Sequence, residues 1–501
     1  MLTLKVPAFF NDEAIYLHWA ARMGAQPSSW LHSLEGGKFP VFIWLLAVSM
    51  KIFPDPLVAG RLVAVLSGLC ALAGLFALGR LLSDVPTALG AAALYLIFPL
   101  VVVHDRLALF DTPLNAFSLW GLALTLWIYR DGNFSKGSLA MLAVVCAAAF
   151  SMKITGLESA FFAFFAALLY ATGGNRRRYV LSAILVCVLP LVIFLGFSIL
   201  SRWAGVTDRG VALLHFFVAG PGSSPLFSNM LWIKNGILFL EWVMAYLGLI
   251  PVVLVVIGFG RMLKRRGWKD VSLLALWLLV PAIFYLVFGA IVFARYMIPC
   301  ATPLLIPMMG GFFVVGGGVK RWCARFSGKQ ALNYGLSGAV LILCFYSYLK
   351  FSALAFSAPA RVPYAPLDRW QYVSGWPAGT YFPNLLEFVR RESRKGPCNI
   401  IANDHIGLLP DGLAVYAPAD GSWKCTVIRD WTMESIRAGT SPDRRNFVAV
   451  DKFIYAPDAR ALVQSPPPGL ELVADFTNPG PDADKCWLYF LHEAREDHKD
   501  R

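Results

Sequence analysis

Phe9-Phe10-Asn11-Asp12-Glu13-Ala14-Ile15-Tyr16 places a carboxylate pair ahead of every long apolar run in the chain. A second stretch, His104-Asp105-Arg106-Leu107-Ala108-Leu109-Phe110-Asp111-Thr112-Pro113-Leu114, wedges charged residues between two apolar runs. Ionisable groups at a membrane boundary are costly to keep, so both stretches are functional candidates. The rest of the chain reads as a scaffold that brings these two loops together on one face of a bilayer.

Working outward, the 501 residues are 57% hydrophobic and only 15% charged, with a mean hydropathy of +0.60. That charge content is well below the roughly one quarter usual in soluble domains. Repeated apolar runs of about 17–25 residues fit helices crossing a hydrocarbon core of about 30 Å, which makes the chain a polytopic α-helical membrane protein. The net charge of +13 is uneven: residues 358–501 hold 17 Lys+Arg against 19 Asp+Glu, so the preceding part holds 27 against 12. The positive excess clusters in short loops between spans, the positive-inside pattern, and no nucleic-acid motif accompanies it.

Candidate spans fall near 57–79, 86–103, 113–129, 137–152, 154–172, 178–203, 233–258, 270–293, 297–317 and 331–357. Three basic links, Arg176 to Arg178, Arg261 to Lys269 and Lys320 to Lys329, are separated by even numbers of spans, so all three fit the cytoplasmic side. Counting onward puts the tail outside; counting backward puts Asp111 and Lys153 outside as well. The run 41–53 is short for a crossing. Read as an interfacial helix, it leaves Asp12-Glu13 and Asp111 on the same outer face. Residues 13–26 then read as a helix lying on the surface, and 204–232, with Gly220-Pro221-Gly222, as a long outer loop. The expected organisation is a first outer loop over 1–56, a transmembrane bundle over 57–357 and a soluble extracytoplasmic α/β domain over 358–501. In that tail, 384–394 reads as a helix, and 399–402, 426–428, 447–450 and 487–491 as buried strands. With the tail outside, Cys398, Cys425 and Cys486 would allow one disulfide and one leftover thiol.

A group transfer at neutral pH needs a carboxylate to take a proton from an acceptor hydroxyl, and positive charge for the departing group. Asp12, Glu13 and Asp111 supply carboxylates. Lys38, Arg106, Lys153 and Arg295 supply positive charge at positions the topology puts outside. Such groups above a membrane suit a donor whose leaving group is a lipid-tethered phosphate. Blander roles stay open beside these: Asp12-Glu13 and Asp111 could cap helices, and Lys38, Arg106 and Arg295 could anchor helix ends at headgroup level. A transporter or flippase with charges lining its path is the alternative, though no internal repeat supports one.

The order of Asp12-Glu13-Ala14-Ile15-Tyr16, Lys38-Phe39-Pro40, Arg106 to Leu114, Ser151-Met152-Lys153-Ile154-Thr155-Gly156 and Arg295-Tyr296-Met297-Ile298-Pro299 resembles the GT-C glycosyltransferases. Among these it is similar to the protein O-mannosyltransferase family and its bacterial relative, the lipid A aminoarabinose transferase. Gln371 to Gly379 looks like the start of the outer domain of bacterial members. The resemblance implies a GT-C fold of about 10–11 spans and inverting transfer of a sugar from a polyprenyl-phosphate donor to a lipid, glycan or protein acceptor. It implies a place in the inner or cytoplasmic membrane, with the active site and the C-terminal domain outside.

By position, Asp12 would be the general base, with Glu13 and Asp111 orienting the acceptor or the base or sharing a cation. Lys38, Arg106, Lys153 and Arg295 would serve the donor phosphate, and Tyr16, His104 and Tyr296 the acceptor or sugar. The chain departs from the family in three places: its first transmembrane helix is absent, Gly37 precedes Lys38 where the aminoarabinose branch has an acidic metal ligand, and Ile15 replaces an Arg. A divalent metal stays an open alternative, with Glu35 and His215 as its candidate ligands.

Overall fold

The computed structural model describes residues 2–203, 231–289, 291–324, 330–403, 407–451, 457–480 and 483–492. The chain divides into two units. One comprises residues 1–25, 46–60 and 366–501, the other residues 26–45 and 61–365.

The larger unit is helical. After α2 (Pro40–Ile52) come α3 (Pro56–Leu82), α4 (Val85–Tyr95), α5 (Pro99–His104), α6 (Asp111–Thr125), α7 (Lys136–Met152), α8 (Glu158–Tyr170) and α9 (Arg176–Trp203). Beyond the undescribed residues lie α10 (Leu231–Trp242), α11 (Leu249–Arg266), α12 (Trp268–Phe288), α13 (Leu305–Ala324) and α14 (Gln330–Ser357). The helix α2, itself shared between the units, has 13 residues. At 1.5 Å per residue it is about 20 Å long, short for a crossing. Among the described residues four helices are long and apolar enough to span, or five if one bent pair counts as a single span.

Two expected spans are broken. The run 86–103 forms α4 and α5, because Pro99 lacks an amide proton to continue the first helix and instead opens the second. The run 233–258 turns through 90° at Gly248, whose φ of 77° suits a residue without a Cβ. Two glycines allow a close approach between helices. A Cβ on Gly311 of α13 would stand 2.0 Å from the Leu254 carbonyl of α11, and one on Gly258 of α11 would stand 1.7 Å from the Pro307 carbonyl.

In the smaller unit, the two-residue strand β1 (Phe9–Phe10) runs into α1 (Asn11–Ala25) and pairs antiparallel with β2 (Ala378–Gly379). The expected surface-lying helix is instead enclosed: Ala14, Ile15, Tyr16, Leu17, Trp19, Ala20 and Met23 are all buried. The tail helix α15 (Phe382–Ser393) buries Leu385, Leu386 and Val389 as its spacing predicts. The strands β3 (Cys398–Asn403), β4 (Trp423–Ile428), β5 (Arg445–Val450), β6 (Leu470–Thr477) and β7 (Lys485–Leu491) form a sheet in the order β4-β3-β5-β7-β6. The first three are parallel and the last two antiparallel additions. Ile401, Ile428, Trp431, Val448, Val450 and Tyr489 lie in its core. β6, missed in the sequence, is largely exposed and carries charges at Glu471 and Asp475. The disulfide that an outer tail would allow is not formed, since Cys398, Cys425 and Cys486 are free thiols.

Candidate active site

The predicted residues divide between the units. Lys38, His104, Arg106, Asp111, Lys153, Arg295 and Tyr296 belong to the helical unit, and Asp12, Glu13 and Tyr16 to the other.

In the helical unit, Asp111 opens α6 and is buried. Lys153 ends α7 in extended backbone (φ −156°, ψ 144°), which breaks the helix where the sequence leaves its apolar run. Its Nζ lies 3.1 Å from Asp111 Oδ1. Arg295 sits in the short turn Ala294–Met297 that precedes the next apolar helix, with Nε 3.9 Å from Asp111 Oδ2. Aromatic faces back both cations. Lys153 Nζ is 3.6 Å from the Tyr296 ring centroid, and the Arg295 guanidinium is 4.9 Å from that of Phe293. One carboxylate therefore draws two cations to the same point.

His104 braces the same loop. Its Nδ1 donates to the Leu100 carbonyl at 2.6 Å, while its own carbonyl accepts the Thr112 hydroxyl at 3.0 Å. Packing brings the segment after Lys38 to the same helix ends: Phe39 meets Phe150 at 5.0 Å, and Phe42 meets Phe110 at 4.6 Å. The Lys38 amide donates to the Ser33 carbonyl at 3.0 Å. Arg106 has other engagements. Its Nε donates to the Val102 carbonyl at 2.8 Å, its Nη2 to the Ala355 carbonyl at 3.1 Å, and its guanidinium covers the Phe356 ring at 4.1 Å. Sequence reasoning passed over Glu158, an acidic residue inside an apolar run. It opens α8 within electrostatic reach of Tyr285, whose ring lies 5.8 Å from that of Tyr296. An acid in such a run was the signal available.

In the smaller unit, Glu13 is fully buried and accepts the Phe10 amide at 3.0 Å, a capping contact at the start of α1. Asp12, beside it, is half-buried. Tyr16 is buried against Trp19, with ring centroids 5.8 Å apart. The Asn11 side chain accepts the Leu408 amide at 3.1 Å, and about two turns further along α1 His18 meets Asp411 at 2.6 Å.

Of the two candidate metal ligands, Glu35 is exposed and faces His32 at 3.1 Å; His215, like residues 204–230 around it, lies outside the described residues. Among the described residues no three His, Cys, Asp or Glu side chains converge as metal ligands, and the neighbours that hold Asp111 are cations. The described residues around Asp111 therefore do not fit a metal.

Residues 37–203 match the family model described as dolichyl-phosphate-mannose-protein mannosyltransferase. No curated protein matches the chain. Among solved structures, ArnT from Cupriavidus metallidurans bound to undecaprenyl phosphate is similar at 13% identity and a TM-score of 0.57, over 98% of this chain and 95% of that one. Its apo state is similar at 14% identity, with the same TM-score and coverage. The Archaeoglobus fulgidus oligosaccharyltransferase, tethered to an acceptor peptide, is similar at 12% identity and a TM-score of 0.53, over 89% of this chain and 66% of that one. The chain thus has a GT-C-type fold, with apolar helices long enough to cross a membrane, and the third of it over residues 37–203 matches a glycosyltransferase family model.

Proposed function

We propose that the chain transfers a sugar from a polyprenyl-phosphate-linked donor to a lipid, glycan or protein acceptor on the extracytoplasmic face of the inner or cytoplasmic membrane, with inversion. Asp12 takes the proton of the acceptor hydroxyl as its oxygen attacks the anomeric carbon. The bond from that carbon to the phosphate oxygen breaks, and the polyprenyl phosphate leaves with the electron pair. Lys153 and Arg295 meet the developing charge, with Lys38 and Arg106 in support. Asp111 holds the two cations in place, Glu13 holds the Asp12 segment, and Tyr16, His104 and Tyr296 line the acceptor or sugar. The observation that carries this reading is the pair of ring-backed cations on one buried carboxylate, which suits a phosphate leaving group. No step is routed through a metal.

The test is release of undecaprenyl phosphate from undecaprenyl-phosphate-linked hexose or pentose by the purified chain, with membrane glycolipid extract as acceptor. Release that disappears with Asp12→Asn and with Lys153→Met supports the reading. Release untouched by both substitutions would sink it, and sugar flux across vesicles without any release would point to a transporter or flippase.

A further inference from the structure

The smaller unit holds Asp12 by an unusual route. Its helix α1 begins directly after β1, and among the described residues β1 has one strand partner, β2: Phe9 stands opposite Gly379 and Phe10 opposite Ala378. The Asn11 amide extends the pairing by donating to the Pro377 carbonyl at 2.9 Å. Two residues of ladder are too few to be stable alone, so β2 must be held from behind.

Asn478, 2% exposed in the turn between β6 and β7, does this. Its Nδ2 donates to the carbonyls of Gly375 at 3.0 Å and Ala378 at 2.8 Å, while its Oδ1 accepts the Thr380 hydroxyl. The side chain thus spends both donors and an acceptor on one six-residue stretch. The same turn adds a backbone bond, from the Asp484 amide to the Ser374 carbonyl at 2.9 Å. On the opposite side of β2 there is no slack. A Cβ on Gly379 would stand 2.2 Å from the Phe9 carbonyl and 2.8 Å from the Leu408 side chain.

We infer that Asn478 is a positioning residue which, acting through Gly375–Thr380 and the Gly379–Phe9 contact, sets the location of Asp12. The C-terminal sheet domain then contributes to turnover by fixing a strand that carries the base. The kinetic half of this inference rests on the proposed role of Asp12; the mechanical half does not.

The test uses the full-length chain with Asn478→Ala, the equal-sized Asn478→Asp, which keeps the acceptor and loses both donors, and Gly379→Ala. Hydrogen exchange is followed by peptide, and turnover is measured with undecaprenyl-phosphate-linked sugar. All three variants are expected to lose protection over residues 9–13 and 375–380 while keeping it over 398–403 and 445–450. A misplacement of about 1 Å at a reacting group costs on the order of 100-fold, so kcat should fall about 10- to 100-fold with KM within about twofold. Protection retained over 9–13 overturns the clamp. So does a loss of protection that spreads through the sheet, because Asn478 would then serve the domain's stability alone. Lost protection over 9–13 with unchanged kcat overturns the positioning role. Asp12→Asn, run in parallel, separates the two readings: full turnover there removes Asp12 as base, while exchange still decides whether Asn478 holds the strand.

Discussion

Asp111 and Asp12 are held in opposite ways. Asp111 is buried at the start of a helix, and its oxygens face a lysine and an arginine drawn from two other helix junctions. Asp12 is half-buried on a segment whose location comes from backbone pairing and from a sheet domain nearly 400 residues away in sequence. A carboxylate flanked by two cations is a poor proton acceptor but a good organiser of positive charge. Asp12 is placed by its backbone, at the start of a helix that follows a paired strand. The contrast teaches that two aspartates in stretches of similar appearance can be held by quite different neighbours, and the proposed roles follow from that difference.

The largest effect that would break the comparison is on turnover. Removing a general base costs about 10²–10⁴-fold, so Asp12→Asn should lower kcat by that amount while the protein unfolds at its usual temperature. Asp111→Asn should act differently, raising KM for the lipid donor as Lys153 and Arg295 lose their anchor. Equal kcat losses with unchanged KM in both variants would erase the distinction.

Next comes Lys153→Met, which leaves Asp111 buried with half of its compensation gone. Breaking one partner of a buried ion pair destabilises by about 3–5 kcal/mol, and the fall in unfolding midpoint should be partly reversed in Lys153→Met/Asp111→Asn. Turnover should not recover in that double variant, since the phosphate has still lost a cation.

A smaller effect is expected far from Asp111, at the other end of α6. There Arg130 Nη1 meets Asp270 Oδ2 at 2.8 Å and donates to the Leu81 carbonyl at 3.1 Å, while the Tyr170 hydroxyl donates to Asp270 Oδ1 at 2.6 Å. Arg130→Met should lower stability yet leave kcat of the folded protein within about twofold. A large loss of kcat would show that this ion pair also shapes the site.

The smallest effect sharpens the sheet-domain side. Burial raises the Asp484 carboxyl above its usual range, partly opposed by the Trp376 amide and reinforced by nearby Asp451. Below the unfolded value of 3.8 both states hold the proton; as pH rises past it, the unfolded chain releases the proton first and folding loses stability. Asp484→Asn should therefore melt higher than the parent chain at pH 7 and level with it well below pH 3.8. No difference at either pH would show that the carboxyl carries no such penalty.

Much of this was legible before any coordinates. Apolar runs located most helices, and the charged interruptions at Asp111, Lys153 and Arg295 marked residues that do converge, because charge inside an apolar stretch needs a partner. The tail strands rich in Val, Ile and Phe were readable for the same reason, whereas β6 was not, since an exposed edge strand with Glu471 and Asp475 has no buried run to betray it. Pro99 and Gly248 broke two spans: hydropathy sums apolar character and is blind to a missing amide or a positive φ. The burial of α1 was invisible because its partners, Leu408 and Asp411 among them, come from the far end of the chain. Asn478 was hidden for a different reason, as its significance lies in which carbonyls it reaches.

The right-angled corner at Gly248 sets a phase. Each residue added to a helix turns everything beyond it by about 100°, and α11 starts at that corner with its rotation already fixed. Ten positions on, a site facing the Pro307 carbonyl is occupied by a glycine, and Ile257 precedes it. A single-residue insertion after the corner would swing isoleucine into a gap too narrow for a methyl group, so this limb should tolerate substitution along its outer face far better than any change in length.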